Sequence, residues 1–454
     1  MKKIIVSFLF SISLIVFFIS LKFYITVHPF NSQEVFNTIN FLCSDNFKGR
    51  LTGTLENREV EEYIKLKFIE NNLKPFMGEY TQTFKVQYPK RIEGNPYLTV
   101  SDDDGNIIRK FEYGKDYKED MLNFKSYKLS FNINNPQINS KDNVIQIKDN
   151  LDYFLIYIPS KEGLNFRSSF INSSHWSMCI MVTEPTLKYI KKYIDDGYTI
   201  NCFIPFTAKE ALANNVMGYI EGKDKAADPI ILSAHFDHLG SDLNNTIYRG
   251  ALDNASGTSF MLEMAKYISS LGQPKRSILF VGFNAEEFGC IGSTEFVKKY
   301  KNYIQNSKVF NFDMIGSDNG VPLCIVGGPQ DTTKTAFLRS VSDTCSDEKI
   351  YFNYKFGSDS DHKAFRENKI DAVTFCDNDT SRIHTPMDKP EFISTTAIDR
   401  CFNVVSREVI KYAFGNNLLI LYYKETLIGS SLVILTTVIA FIYSKRKKNY
   451  NLSN

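Results

Sequence analysis

The stretch IILSAHFDHLG at residues 230–240 begins a run of four segments that decides the fold. The other three are RGALDNASGT (249–258), ILFVGFNAEEFGCIGS (278–293) and VFNFDMIGSD (309–318). Ile230 to Ala234 is short, apolar and β-branched, the pattern of a buried strand, and it ends in His235, Asp237 and His238. Ser277 to Phe283 reads as a second such strand, leading to Glu286 and Glu287, and Val309 to Phe312 as a third, leading to Asp313. Between the first two lies a helix from about Asn254 to Ser270, with Phe260, Met264 and Ile268 on one face. Asp253 is expected at its N-terminal edge, where free amides and the helix dipole favour a carboxylate. Strands alternating with helices predict an α/β fold with a mixed, mostly parallel sheet covered on both faces. In such sheets, sites form beyond the carboxyl ends of the strands, where the polar residues are gathered here.

Histidine, aspartate and glutamate bind divalent cations, and carboxylates can bridge two ions. His-x-Asp at 235–237 suits a metal-binding imidazole whose second ring nitrogen is oriented by a carboxylate, which gives Asp237 a supporting part. In a Glu-Glu pair, one residue can face the metal while the other serves as general base. Taken singly, each motif has a plainer meaning: a surface turn, a solvated helix start, or a cap at Asp253. Their concentration at successive strand ends favours a metal site.

These motifs resemble the di-zinc aminopeptidases of the bacterial leucyl aminopeptidase type, relatives of glutamate carboxypeptidase. The shared order is His-x-Asp, a bridging Asp before a helix, Glu-Glu, a further Asp and a late His. It is met by His235 and Asp237, Asp253 in LDNASG, Glu286 and Glu287 in NAEEFG, Asp313 in NFDMIG and His384 in RIHTPMD. The resemblance covers roughly residues 30–80 and 214–412. It implies one zinc ion on His235, Asp253 and Asp313 and another on Asp253, Glu287 and His384. It also implies Glu286 as general base, Asp237 as a catalytic support, and two ions about 3.5–4 Å apart sharing a water. His238 and Tyr248 fall at variable positions. GSDSDHKAF at 357–365 resembles a further family motif. Asp361 and His362 within it are read as pocket residues or, in preference, as caps of a helix starting near His362.

The chain has 454 residues, room for a large domain with an insertion. The expected division is a peptidase domain over 28–78 and 214–415, with a β-rich insertion over 79–213 similar to the protease-associated insertion of some family members. An elaborated lid is the alternative for the insertion. Strands are expected at Tyr97–Val100, Val144–Ile147, Tyr153–Ile158, Met178–Val182 and Tyr198–Ile204, with a hairpin turn at SDDDGN (101–106). Near the N-terminus, helices are expected from Ser32, as its cap, to Cys43 and from about Glu56 to Asn72. The net charge of +2, with 23% charged residues, gives no reason to expect a nucleic-acid partner. None of the eight cysteines forms a C-x-x-C pair; one disulfide could form, but no pair is fixed.

Ile4 to Leu21 is uncharged and follows Lys2 and Lys3, so residues 1–27 read as a signal anchor or a cleaved signal peptide. Leu427 to Tyr443 reads as a second transmembrane segment, before a basic tail over 444–454 that carries Lys445, Arg446, Lys447 and Lys448. The positive-inside rule then places both ends in the cytoplasm and the catalytic domain outside the cell membrane. The implied function is a membrane-anchored exopeptidase, an aminopeptidase by preference, with a peptide substrate. A carboxypeptidase, a one-zinc glutaminyl cyclase-like enzyme and a non-catalytic receptor ectodomain are the alternatives. The complete ligand set argues against the last two. Oligomeric state is not legible.

Overall fold

The structure, a computed structural model, describes residues 2–134, 137–160 and 163–450. Its centre is a sheet of eight strands. In chain order these are β1 (Thr81–Arg91), β2 (Phe206–Ile220), β3 (Ile230–His235), β4 (Ile278–Phe283), β5 (Lys308–Phe312), β6 (Leu323–Gly327), β7 (Phe352–Phe356) and β8 (Asp371–Cys376). Their order across the sheet is β1-β2-β4-β3-β5-β8-β6-β7. β4, β3, β5 and β8 are mutually parallel, as are β6 and β7; β1, β2 and the β6–β8 pair supply the antiparallel ladders. The fold is therefore the mixed α/β sheet that the sequence predicts.

The central strands are apolar throughout because both faces are covered. Leu232, Phe280, Phe310, Phe312 and Phe375 pack with the helices Ser32–Leu42, Leu55–Glu70, Gly257–Ser270, Ala336–Asp347 and Thr395–Phe414. Ile231, Leu279, Val281, Phe283 and Val309 point the other way, against the helices Ile291–Ile304 and His362–Glu367. The alternation along each strand fixes the register, since a slip of one residue would exchange the two faces.

Between β1 and β2 the chain builds two smaller sheets. One has four strands: Ile107–Lys110, Tyr97–Ser101, Thr199–Phe203 and Lys128–Phe131. The other has five: Tyr117–Phe124, Met178–Val182, Asp152–Tyr157, Val144–Asp149 and Ile138–Lys141. Their common core, with Tyr117, Phe124, Phe154 and Ile180, takes in Leu239, Tyr248, Ala285 and Phe288 from the loops of the main sheet. β1 and β2 pair along eleven residues and lead from the main sheet into this region. The turn at 101–106 joins two of its strands, with the Asp102 carboxylate accepting from the amides of Asp104 and Asn106.

Several expectations need correction. Asn31, not Ser32, caps the helix Ser32–Leu42, accepting from the amide of Gln33 at 2.9 Å. All eight cysteines are buried free thiols, so the disulfide that the sequence permitted does not form. The strand Tyr117–Phe124 escapes sequence reading because YKEDMLNF does not alternate apolar with polar, although Lys118, Glu119 and Asp120 are all buried.

The helices Lys2–Thr26 and Tyr423–Tyr450 are each long and apolar enough to cross a membrane. They pack along one another, and the hydroxyls of Ser20 and Thr426 stand 2.8 Å apart.

Gly292 starts the helix after β4 in a space that admits no side chain. A β-carbon there would lie 2.1 Å from the carbonyl oxygen of Asn284 and 2.5 Å from Asn215 Oδ1. Gly292→Ala is expected to cost about 1–3 kcal/mol, as overpacking does. Urea unfolding would show this as a lower midpoint; an unchanged midpoint would contradict it.

Candidate metal centre

Three neighbouring strands end at one point. β3 ends at His235, followed by Asp237 and His238; β4 leads through Asn284 and Ala285 to Glu286 and Glu287; β5 leads to Asp313. A loop after β8 brings in His384, and the Ala251–Ser256 segment brings in Asp253. Ala285, Met314 and His384 have φ near +60°, a left-handed conformation costing non-glycine residues about 1–2 kcal/mol. Such conformations persist where the surroundings fix them, and they cluster at functional sites.

His235 Nε2 lies 3.3 Å from Asp313 Oδ1 and 3.4 Å from Asp253 Oδ1. His384 Nε2 lies 3.3 Å from Asp253 Oδ2 and 3.4 Å from Glu287 Oε2. The two oxygens of Asp253 thus face two different imidazoles. His384 Nδ1 is 3.1 Å from the carbonyl oxygen of Arg167. A carbonyl only accepts, so Nδ1 carries a proton, which leaves Nε2 as the ring nitrogen available to an ion. The donor set fits divalent ions. Two ligand atoms about 2.0–2.1 Å from one zinc ion in tetrahedral geometry stand about 3.3 Å apart, close to the observed spacings. All five residues that the sequence singled out as ligands meet here, with Glu286 beside them.

Asp253 is not a helix cap. Its backbone is non-helical (φ −109°, ψ 94°), its peptide bond to Asn254 is cis, and the regular helix begins only at Gly257. The terminal amide of Gly257 is met instead by Asn254 Oδ1 at 2.9 Å, which also accepts from the amide of Met314 at 3.1 Å. Against the cost of burial, the imidazoles of His235 and His384 hold the Asp253 carboxyl well below its usual range. Burial, reinforced by Glu287, Asp361 and Asp313, pushes the Glu286 carboxyl well above its own, against the pull of His235. Neighbouring glutamates are driven apart in this way, because the Glu287 carboxyl is lowered against its own burial by His384 and His238.

Asp237 Oδ1 is 3.7 Å from His235 Nδ1, beyond hydrogen-bond range. It accepts instead from the amides of Glu286 (3.1 Å) and Glu287 (3.2 Å) and from the Thr52 hydroxyl (3.2 Å). Its carboxylate therefore fixes the backbone of the glutamate pair. Asp361 heads the helix His362–Glu367 but makes no cap. Both its oxygens are buried without a hydrogen-bond partner among the described residues, and burial raises it to about 7. His362 is satisfied structurally, by the Gly357 carbonyl and the Thr374 hydroxyl.

Other contributors escaped the sequence reading. His238, read as variable, lies 2.9 Å from Glu287 Oε1 through Nδ1. Asp388 accepts from the amides of Leu252 (2.8 Å) and Asp253 (3.0 Å) and so sets the turn that presents Asp253. Its place four residues after His384, in HTPMD, was the available signal.

Residues 215–409 match the profile described as Peptidase family M28. They form a peptidase family M28 domain. In the curated protein Aminopeptidase YwaD of Bacillus subtilis (strain 168), 209 residues align at 32% identity, covering 43% of this chain and 44% of that one. The Glutamate carboxypeptidase 2 homolog of Caenorhabditis elegans aligns over 105 residues at 37% identity, covering 22% of this chain and 13% of that one. The chain thus aligns with less than half the length of these relatives. The solved structure of BSAP, a zinc aminopeptidase from Bacillus subtilis, shares the fold: TM-score 0.60 at 19% identity, over 86% of this chain and 97% of that one. The M28 match spans Asp237, Glu286 and all five ligand candidates, and it begins inside β2, after the two smaller sheets.

Asp388→Ala in the M28 domain would leave two buried amides unpaired, at about 1–3 kcal/mol each. A lower midpoint in chemical unfolding is expected, with Asp388→Asn retaining part of the loss. Equal stability of the alanine variant and the parent would show that Asp388 does not support the Asp253 turn.

Proposed function

We propose that the chain is a membrane-anchored di-zinc exopeptidase, an aminopeptidase that removes N-terminal residues from peptides outside the cell. The observation that carries this is the double use of Asp253, whose two oxygens face His235 and His384 separately. In this reading one zinc is held by His235, Asp253 and Asp313 and the other by Asp253, Glu287 and His384. When bound, the ions supply Lewis acidity toward a water and toward the scissile carbonyl.

The remaining chemistry belongs to side chains of the protein. Glu286 takes a proton from the attacking water as its oxygen bonds to the carbonyl carbon. As the C–N bond breaks, Glu286 passes that proton to the leaving amine. The products are a free carboxylate and a shortened peptide with a new amino terminus. Asp237 holds the amides of both glutamates and keeps the base in reach of the water. Cys290 Sγ, 3.3 Å from Glu286 Oε1, restrains the carboxyl from the other side.

Membrane attachment rests on the two apolar helices, and sidedness on Lys2, Lys3 and the 445–448 cluster. Both ends would lie in the cytoplasm. Proteinase added to intact cells should then digest the M28 domain and spare a tag placed at the C-terminus. A C-terminal tag destroyed from outside would overturn this orientation.

Zinc content and release of amino acids from a peptide panel test the chemistry together. Glu286→Gln should keep both ions while activity falls by at least about 10²–10⁴-fold. Glu287→Gln should lower occupancy of one ion, and Asp253→Ala should lose both. Metal loss in Glu286→Gln would reverse the two glutamate roles, and full activity in it would remove the base.

A further inference from the structure

The loop between the strands Asp152–Tyr157 and Met178–Val182 belongs to the β-rich region, yet four of its residues reach the metal centre. The ring of Phe166 stacks on His384, centroids 5.9 Å apart and planes 22° apart. The backbone of Arg167 makes two bonds to His384: its amide donates to the His384 carbonyl at 3.0 Å, and its carbonyl accepts from the ring Nδ1 at 3.1 Å. Ser169 Oγ donates to Glu287 Oε2 at 2.6 Å, the oxygen that also faces His384 Nε2. The amide of Phe170 donates to the Glu287 carbonyl at 2.9 Å, and its ring meets Phe288 edge to face. Two of the five ligand candidates are thus gripped, at backbone and side chain, by a segment outside the 215–409 match.

The loop is itself anchored by buried charge. Arg167 pairs with Glu119 at 2.9 Å, both side chains fully buried, and donates to the Leu239 carbonyl at 3.1 Å, just after β3. Glu119 Oε2 accepts from Tyr113 Oη at 2.5 Å. Asp120 accepts from the amide and hydroxyl of Ser168 and from Tyr157. Lys118 pairs with Asp242 at 2.7 Å and donates to Tyr248 Oη, which donates to the Asn165 carbonyl at 2.9 Å. Desolvating these ions is costly, and a lid that merely rests over a site would not require it. The arrangement fixes position.

We propose that the Phe166–Phe170 segment is a working part of the metal centre, with Ser169 as the positioning residue for Glu287 and the Arg167 carbonyl as the group that sets the His384 ring. The β-rich region then holds one of the two ion sites in shape and leaves the His235–Asp313 site alone. This rests on the di-zinc reading above, and it goes beyond it in assigning ion affinity to residues of the insertion.

The test is zinc titration of the metal-stripped full-length chain in detergent against a chromogenic chelator, which reads affinity without activity. The parent should bind two ions. Ser169→Ala should weaken one site by about 10–100-fold, the range for groups that orient a ligand, and leave the other unchanged. Ser169→Thr, which keeps the hydroxyl, should restore the weakened site. Parent-like binding by Ser169→Ala would overturn the role of the segment while leaving the di-zinc reading intact. Equal loss in the alanine and threonine variants would also overturn it, because the hydroxyl would then not be the positioning group. A parent that takes up no zinc would overturn both.

Discussion

The structure depends on the carboxylate of Asp253 standing between two imidazoles. Its oxygens face His235 and His384, which arrive from opposite ends of the chain order, and Asp313 and Glu287 complete the two sides. The three carboxylates in so small a volume repel one another unless cations or protons intervene. The backbone is correspondingly over-determined. Asp388 holds the Asp253 turn, Asp237 holds the glutamate pair, and Asn254 ties the start of the helix to the amide after Asp313. Each of these three side chains accepts from main-chain amides and so leaves the ligands' own donor atoms free, whereas both oxygens of Glu287 are also met, by Ser169 and His238.

The β-rich region belongs to this constraint. Its core is continuous with the loops beyond β3 and β4, and Phe170 packs on Phe288 next to Glu287. A module joined only by its ends would bring its own closed core. Here the shared core and the buried Arg167–Glu119 pair make the position of the smaller sheets a condition for the geometry of the centre.

Much of the site was legible in the sequence because His235, Glu287 and Asp313 sit at or just beyond the ends of apolar strands, while Asp253 and His384 were found through the resemblance's order. That pattern survives without any knowledge of contacts, and the resemblance supplied the order. The central strands were legible for the same reason, being apolar on both faces. What escaped reading was set by partners distant in sequence. Tyr117–Phe124 hides among charged residues whose partners lie as far off as Arg167 and Asp242. Ser169, Arg167 and His238 carry no local pattern, since a serine, an arginine or a second histidine acquires meaning only from what it touches. Asp253 was placed at a helix start by periodicity, whereas the chain departs from helical geometry there and begins its helix at Gly257. Of the two readings of Asp361, pocket residue or helix cap, the preferred cap fails, since its carboxylate is buried and makes none.

The most direct test of the account is anomalous diffraction at the zinc edge from crystals of the full chain grown with zinc. The account predicts two peaks about 3.5–4 Å apart. One should lie between His235 and Asp313 and the other between Glu287 and His384, each in contact with one oxygen of Asp253. A single peak, or two peaks of which one does not touch Asp253, would contradict it.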